Sequence, residues 1–214
     1  ADARRPKHER RTARALYGAE AGWAAALSLL GCVGLLVRGH ELNAYTAQFA
    51  AAAIMLYGIA ILPQDSRSGW ELGVGASLML LAGGAAEALL FMTLATLLPL
   101  LLTDYRSPAT RRALAWGIGG ALLFGAAWLI FLGTQHIPLI QAFNLQRWLG
   151  SEGLEPGYFP SILGWYAWPA WPLAAWAAYR ERRQWRTPGI VLPGGALAGL
   201  LGLYALAAHP AEEQ

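Results

Sequence analysis

An apolar span that stops abruptly in a cluster of arginines leaves a chain few ways to fold. Residues 158–186 read YFPSILGWYAWPAWPLAAWAAYRERRQWR. They open in a polar loop, run through Trp165, Trp168, Trp171 and Trp176, and end in Arg180, Arg182, Arg183 and Arg186. Lys and Arg are retained at the cytoplasmic end of a membrane helix, and indole rings favour the headgroup layer. Pro169 and Pro172 would kink a soluble helix. In a bilayer, neighbouring helices and water satisfy the carbonyls that they free. This stretch therefore sets an orientation against which the rest of the chain can be read.

Composition agrees with that reading. Of the 214 residues 56% are hydrophobic and 14% charged, with a mean hydropathy of +0.37. Soluble domains carry about a quarter charged residues, so the chain reads as an integral membrane protein. The net charge of +3 does not point to nucleic acid, because the basic residues sit in short clusters between apolar spans. Cys32 is the single cysteine. It excludes an internal disulfide, and no Cys/His spacing suggests zinc. Residues 1–19 are basic without the order of a signal peptide, and the chain is expected to be a piece of a longer protein.

The expected fold is an all-α transmembrane bundle of about seven spans. Residues 1–19 form a basic cytoplasmic segment drawn to anionic lipid. The membrane domain covers 20–208, with spans at 20–37, 43–62, 69–83, 85–103, 113–133, 160–178 and 188–208, and a tail at 209–214. Span 69–83 is short for a crossing, which takes roughly 17–25 residues. With the turn at Gly83-Gly84 it makes either a helical hairpin or a re-entrant element. Gly117, Gly119, Gly120 and Gly125 in the fifth span allow close helix contact. In the loop 134–160, Ile137, Ile140, Phe143, Leu145 and Trp148 suggest a short amphipathic helix on the membrane surface.

With the N-terminus inside, the cytoplasmic segments hold the six basic residues before span one and Arg67. They also hold Arg106, Arg111 and Arg112, and the four arginines after span six. Of the 16 Lys plus Arg, only Arg38 and Arg147 fall outside, an asymmetry of the kind that orients membrane proteins.

This topology gathers Arg38, His40, Glu41, Asn43, Tyr45, Gln48, Glu87, Gln135, His136 and Arg147 at the outer face. A carboxylate near membrane depth is costly and usually faces protein, water or a ligand. That makes Glu87 a candidate. His40 and Glu41 belong either to a ligand site or to the solvated headgroup layer. Adjacent helical residues point about 100° apart, so the pair does not easily converge on one ion. Arg147 either clamps a phosphate or sugar or anchors a surface helix.

The strings VRGHEL, LGVGASLMLLAGG and LLPLLL, followed by WYAWPAWPLAAW and its arginines, resemble the membrane region of bacterial ArnT-like glycosyltransferases. These belong with the protein mannosyltransferase group of the GT-C superfamily (family 39-like). The likeness covers most of residues 20–206, and the tryptophan stretch is its most specific part. It implies an enzyme that moves a sugar from a polyprenyl-phosphate carrier to a lipid or protein acceptor at the extracytoplasmic face of the bacterial inner membrane. Membrane lipids would surround it, and the resemblance leaves room for a divalent metal in the full-length enzyme; no cofactor is identified in the sequence. Candidate carrier contacts are Arg38, His40, Glu41, Glu87 and Arg147; no catalytic residue is assigned. The acidic motif that the family carries near its N-terminus is absent, which the resemblance explains by a missing N-terminal half. The fragment alone is then expected to be inactive. A basic residue often stands in the family where Gly83 stands here. The rival expectation is a transporter or a non-catalytic membrane scaffold.

Overall fold

The computed structural model describes residues 44–65, 67–143, 172, 175–176, 179–180 and 188–206. The chain divides into two compact units, residues 1–40 with 157–179 and residues 41–156 with 180–214. In the first, Pro172, Ala175, Trp176 and Tyr179 are described; all are helical, and Trp176 and Tyr179 are exposed. The remaining described residues belong to the second.

Among its described residues this unit is all-helical, without strands. Helix α1 is Ala44–Ile61, α2 Gly69–Leu81, α3 Ala85–Leu101, α4 Pro108–Thr134, α5 Leu139–Ala142 and α6 Pro188–Leu206; a 3-10 turn, Thr103–Arg106, joins α3 to α4. Two of them, α1 and α4, are long and apolar enough to cross a membrane. At 1.5 Å per residue they reach about 27 and 40 Å, against a hydrocarbon core of about 30 Å. Only 22% of the apolar stretch of α1 and 17% of that of α4 is buried within the protein. The core helix of a soluble protein would be mostly covered. Instead Trp116, Leu122, Leu123 and Ile130 of α4 are each more than two-thirds exposed. The spans expected at 20–37 and, apart from Pro172, Ala175 and Trp176, at 160–178 lie outside the described residues.

Helix α2 is the centre. It packs along α1 on one side and α4 on the other. Between helices surrounded by lipid, burial alone supplies little attraction, so close backbone approach matters. The sequence supplies it with small residues one turn apart. Gly69 and Gly73 of α2 meet Ala113 and Gly117 of α4 so closely that a Cβ on Gly69 would collide with the Ala113 carbonyl. On the other face, a Cβ on Gly75 would stand 2.6 Å from Met55 Cγ of α1. Of the fifth-span glycines, Gly117 does make the close contact, while Gly119 and Gly120 face open space. Met55, Ile59, Leu72, Met79, Phe91 and Leu98 fill the core between α1, α2 and α3. Gly195 and Gly199 of α6 approach Leu94 and Leu90 of α3. These pairings make α2, α4 and α6 run one way and α1 and α3 the other.

Two helices depart from their expected limits. Span 69–83 ends as a helix at Leu81, because Gly83 takes φ +79° and closes the end. The Gly83 N–H donates to Leu80 O at 3.1 Å and the Gly84 N–H to Met79 O at 2.9 Å, a Schellman closure that needs the left-handed backbone glycine allows. At 13 residues, about 20 Å, α2 is shorter than the hydrocarbon core. Helix α4, the fifth expected span, starts at Pro108, five residues before its expected limit of 113. Ser107 caps it, accepting from the Thr110 N–H at 3.0 Å, and Pro108 fits its first turn. Arg111 and Arg112 are therefore helical rather than in a loop.

Candidate functional site

The two ends of this bundle differ. At the end where α1 finishes and α2 and α4 begin, polar side chains serve the helix termini. Pro63 has no N–H to offer the Ile59 carbonyl one turn back. The phenol of Tyr105 donates to that carbonyl at 3.1 Å instead, and Tyr105 is buried. Burial pushes the Tyr105 phenol above its ordinary value, and the neighbouring Asp104 charge adds to the rise. Arg106 donates to the last carbonyls of α3, Pro99 O at 2.9 Å and Leu100 O at 3.1 Å, where a cation also suits the helix dipole. Ser68, also buried, donates to Asp65 O at 2.7 Å. Arg67, Arg106, Arg111 and Arg112 are all exposed at this end.

At the opposite end the helices separate. A groove of about 780 Å³ opens between the start of α1, the end of α2 and α5, lined by Tyr45, Gln48, Leu78, Leu81, Gly83 and Gln141 among others. Its wall is mostly carbon. Gln48 crosses from α1 to donate to Ala82 O at 2.7 Å, serving a carbonyl at the end of α2. The turn at Gly83 comes close to the Ala142 carbonyl of α5, which places the loop after α4 against the α2–α3 turn. That loop begins in another Schellman closure: His136 takes φ 54°, its N–H donates to Gly133 O at 3.2 Å, and the Ile137 N–H donates to Leu132 O at 3.0 Å.

Of the candidates named from sequence, Arg38, His40, Glu41 and Arg147 lie outside the described residues. Glu87 is buried, 5% exposed, in the first turn of α3. There the helix dipole favours its charge. It lies at the groove end but does not line the groove. Tyr45 and Gln48 do line it. Sequence reading missed Gln141, which α5 brings into the groove. It also missed Glu71, whose Oε2 is buried without a hydrogen-bond partner. Glu71 sits in the first turn of α2, beside Gly58 of α1. Its signal was a carboxylate inside an apolar span. No group of three or more His, Cys, Asp or Glu among the described residues is placed to hold a metal ion.

No protein-family model, curated protein or solved structure matches this chain. The groove and the arginine end therefore have to be read on their own chemistry. The groove-lining residues named above offer amides, a phenol and apolar surface. That set holds an amphiphile by its chain and orients a polar group by hydrogen bonds. Among the described lining residues there is no carboxylate.

Proposed function

We propose that the chain is a polytopic membrane bundle of about seven spans, with the Arg67, Arg106, Arg111 and Arg112 end cytoplasmic. We further propose that it forms part of an integral membrane glycosyltransferase of the inner membrane. In this reading it moves a sugar from a polyprenyl-phosphate carrier to a lipid or protein acceptor at the extracytoplasmic face. The observation that carries the reading is the groove at the end of the bundle away from these arginines, apolar along Leu78 and Leu81 and polar at Tyr45, Gln48 and Gln141. A prenyl chain suits the apolar wall, and the amides suit a sugar. The described groove then binds the prenyl chain of the carrier. From the sequence alone, Arg38 and Arg147 are the residues proposed to contact the carrier phosphate, His40 and Glu41 those proposed to position carrier or acceptor, and Glu87 a further binding candidate. An arginine that meets the leaving phosphate in the transition state contributes on the order of 2–4 kcal/mol, tens to thousands-fold in rate.

The amides and apolar wall of the described lining equally suit a second reading, a transporter or scaffold that binds a lipid-linked solute without chemistry. Transfer from a polyprenyl-phosphate sugar, assayed with the full-length protein in membranes, separates the two. The enzyme reading expects turnover that Arg38→Ala and Arg147→Ala each reduce at least tenfold without loss of insertion. Retention of the carrier without transfer supports the second reading.

A further inference from the structure

A second groove, of about 600 Å³, runs between α2 and α4 at the arginine end, and Arg67, Trp70, Gly73, Ser77, Trp116 and Gly120 line it. Arg67 stands at its mouth, and its guanidinium has no hydrogen bond or ion pair among the described residues. The nearby Asp65 accepts from the Arg67 backbone N–H at 2.8 Å. Arg112 lies one turn before Trp116 on the same face of α4. The close contact of Gly69 with Ala113 brings the starts of the two helices together, so Arg112, which does not itself line the groove, stands one turn from its Trp116 wall at the same end as Arg67. Trp70 is 63% and Trp116 75% exposed, and indoles so placed sit at the headgroup layer. Beyond them the floor is Gly73 and Gly120. The hydroxyl of Ser77 donates to Gly73 O at 2.8 Å, so it makes no polar demand on an occupant. From Arg67 to Ser77 is about 15 Å along the helix, which is about the depth of one leaflet's hydrocarbon.

We propose that this groove binds one anionic glycerophospholipid from the leaflet on the arginine side. Its phosphate lies between Arg67 and Arg112, and an acyl chain lies along Gly73 and Gly120 between the two tryptophans. The inference rests on the membrane reading of the bundle and not on any enzymatic activity. An arginine near an anionic headgroup strengthens binding about fivefold, so the pair gives a preference on the order of 30-fold for an anionic over a zwitterionic lipid.

The test is native mass spectrometry of the whole protein in detergent, titrated with phosphatidylglycerol or phosphatidylcholine of the same acyl chains. The wild type should retain one phosphatidylglycerol with that preference. Arg67→Gln combined with Arg112→Gln should abolish the preference. Gly120→Leu should expel both lipids, and it leaves the helix seam intact because a Cβ there meets nothing within 4 Å. Equal retention of the two lipids by the wild type would overturn the proposal, as would unchanged retention in both variants. Displacement of the lipid by millimolar inorganic phosphate alone would also overturn it, by showing a site for the headgroup only. A dimer that Gly120→Leu dissociates would do the same, by assigning the groove to a second copy of the chain.

Discussion

The arginine end and the groove end of the bundle are built from the same helices but are closed differently. At the arginine end, Tyr105, Arg106 and Ser107 each reach a backbone group that a helix terminus leaves unserved, and Ser68 ties the α1–α2 loop at Asp65 O. Gly69 and Gly117 bring α2 and α4 into backbone contact there. At the groove end, Gln48 reaching Ala82 is a side-chain hydrogen bond that links α1 to the end of α2, and a groove of about 780 Å³ remains open. The arginine end also carries a groove, about 600 Å³ between α2 and α4, so the two ends differ in how their helix termini are tied rather than in whether they leave volume. Grooves between the helices of a bundle are common ligand sites.

The largest effect expected from this contrast is at the seam. Gly69→Leu puts a branched side chain where even a Cβ collides with the Ala113 carbonyl, and should cost about 3 kcal/mol or more, enough to prevent a stable fold in detergent. Gly119→Ala, two residues beyond the seam glycine and facing open space, should stay within about 1 kcal/mol of the wild type. Thermal unfolding followed by fluorescence reads both, and similar losses in the two variants would break the contrast.

The second effect is at the arginine end. Tyr105→Phe leaves the Ile59 carbonyl without a donor, because Pro63 cannot supply one, and should cost about 1–3 kcal/mol. Its pH dependence has a definite sign. The folded-state pKa of Tyr105 is raised. The stability that this contributes is therefore fully present below the ordinary tyrosine value of about 10 and is lost as pH rises through the folded value. Alkaline unfolding should be less steep in Tyr105→Phe than in the wild type above that point. Superimposable alkaline profiles would remove Tyr105 from the anchoring of this end.

The smallest effect belongs to the groove end. Gln48→Leu removes a part-buried bond to Ala82, itself a half-buried residue, so the loss should be about 1 kcal/mol. A loss as large as that of Tyr105→Phe would mean that the two ends are anchored alike.

Much of this architecture is legible in the sequence, for reasons that particular residues make plain. The apolar runs and the Gly83-Gly84 pair mark α1, α2 and α3 because a left-handed closure favours a residue without a side chain, although His136 makes the same closure after α4. The start of α4 at Ser107-Pro108 escapes the sequence reading, since Arg111 and Arg112 close to a helix N-terminus oppose the helix dipole and read as a loop. Which glycines pack was not legible. Gly117 and Gly119 look alike in sequence and differ only in the face that α2 covers. The hydrogen bond from Tyr105 to Ile59 joins residues 46 apart, and the arrival of Gln141 beside Gly83 depends on the fold of α5. Neither leaves a local pattern. Of the outer-face cluster read from sequence, Tyr45 and Gln48 line the groove, Glu87 is buried nearby in α3, and Arg38, His40, Glu41 and Arg147 lie outside the described residues.

The central claim is that this bundle crosses a membrane with its arginine end on the cytoplasmic side. With Cys32 replaced by serine, Asp104→Cys marks the arginine end and Gln135→Cys the groove end; both positions are exposed. A membrane-impermeant maleimide applied to intact cells should label Gln135→Cys and should reach Asp104→Cys only after permeabilisation. Labelling of Asp104→Cys in intact cells would contradict the orientation, and labelling of both positions without permeabilisation would contradict the crossing itself.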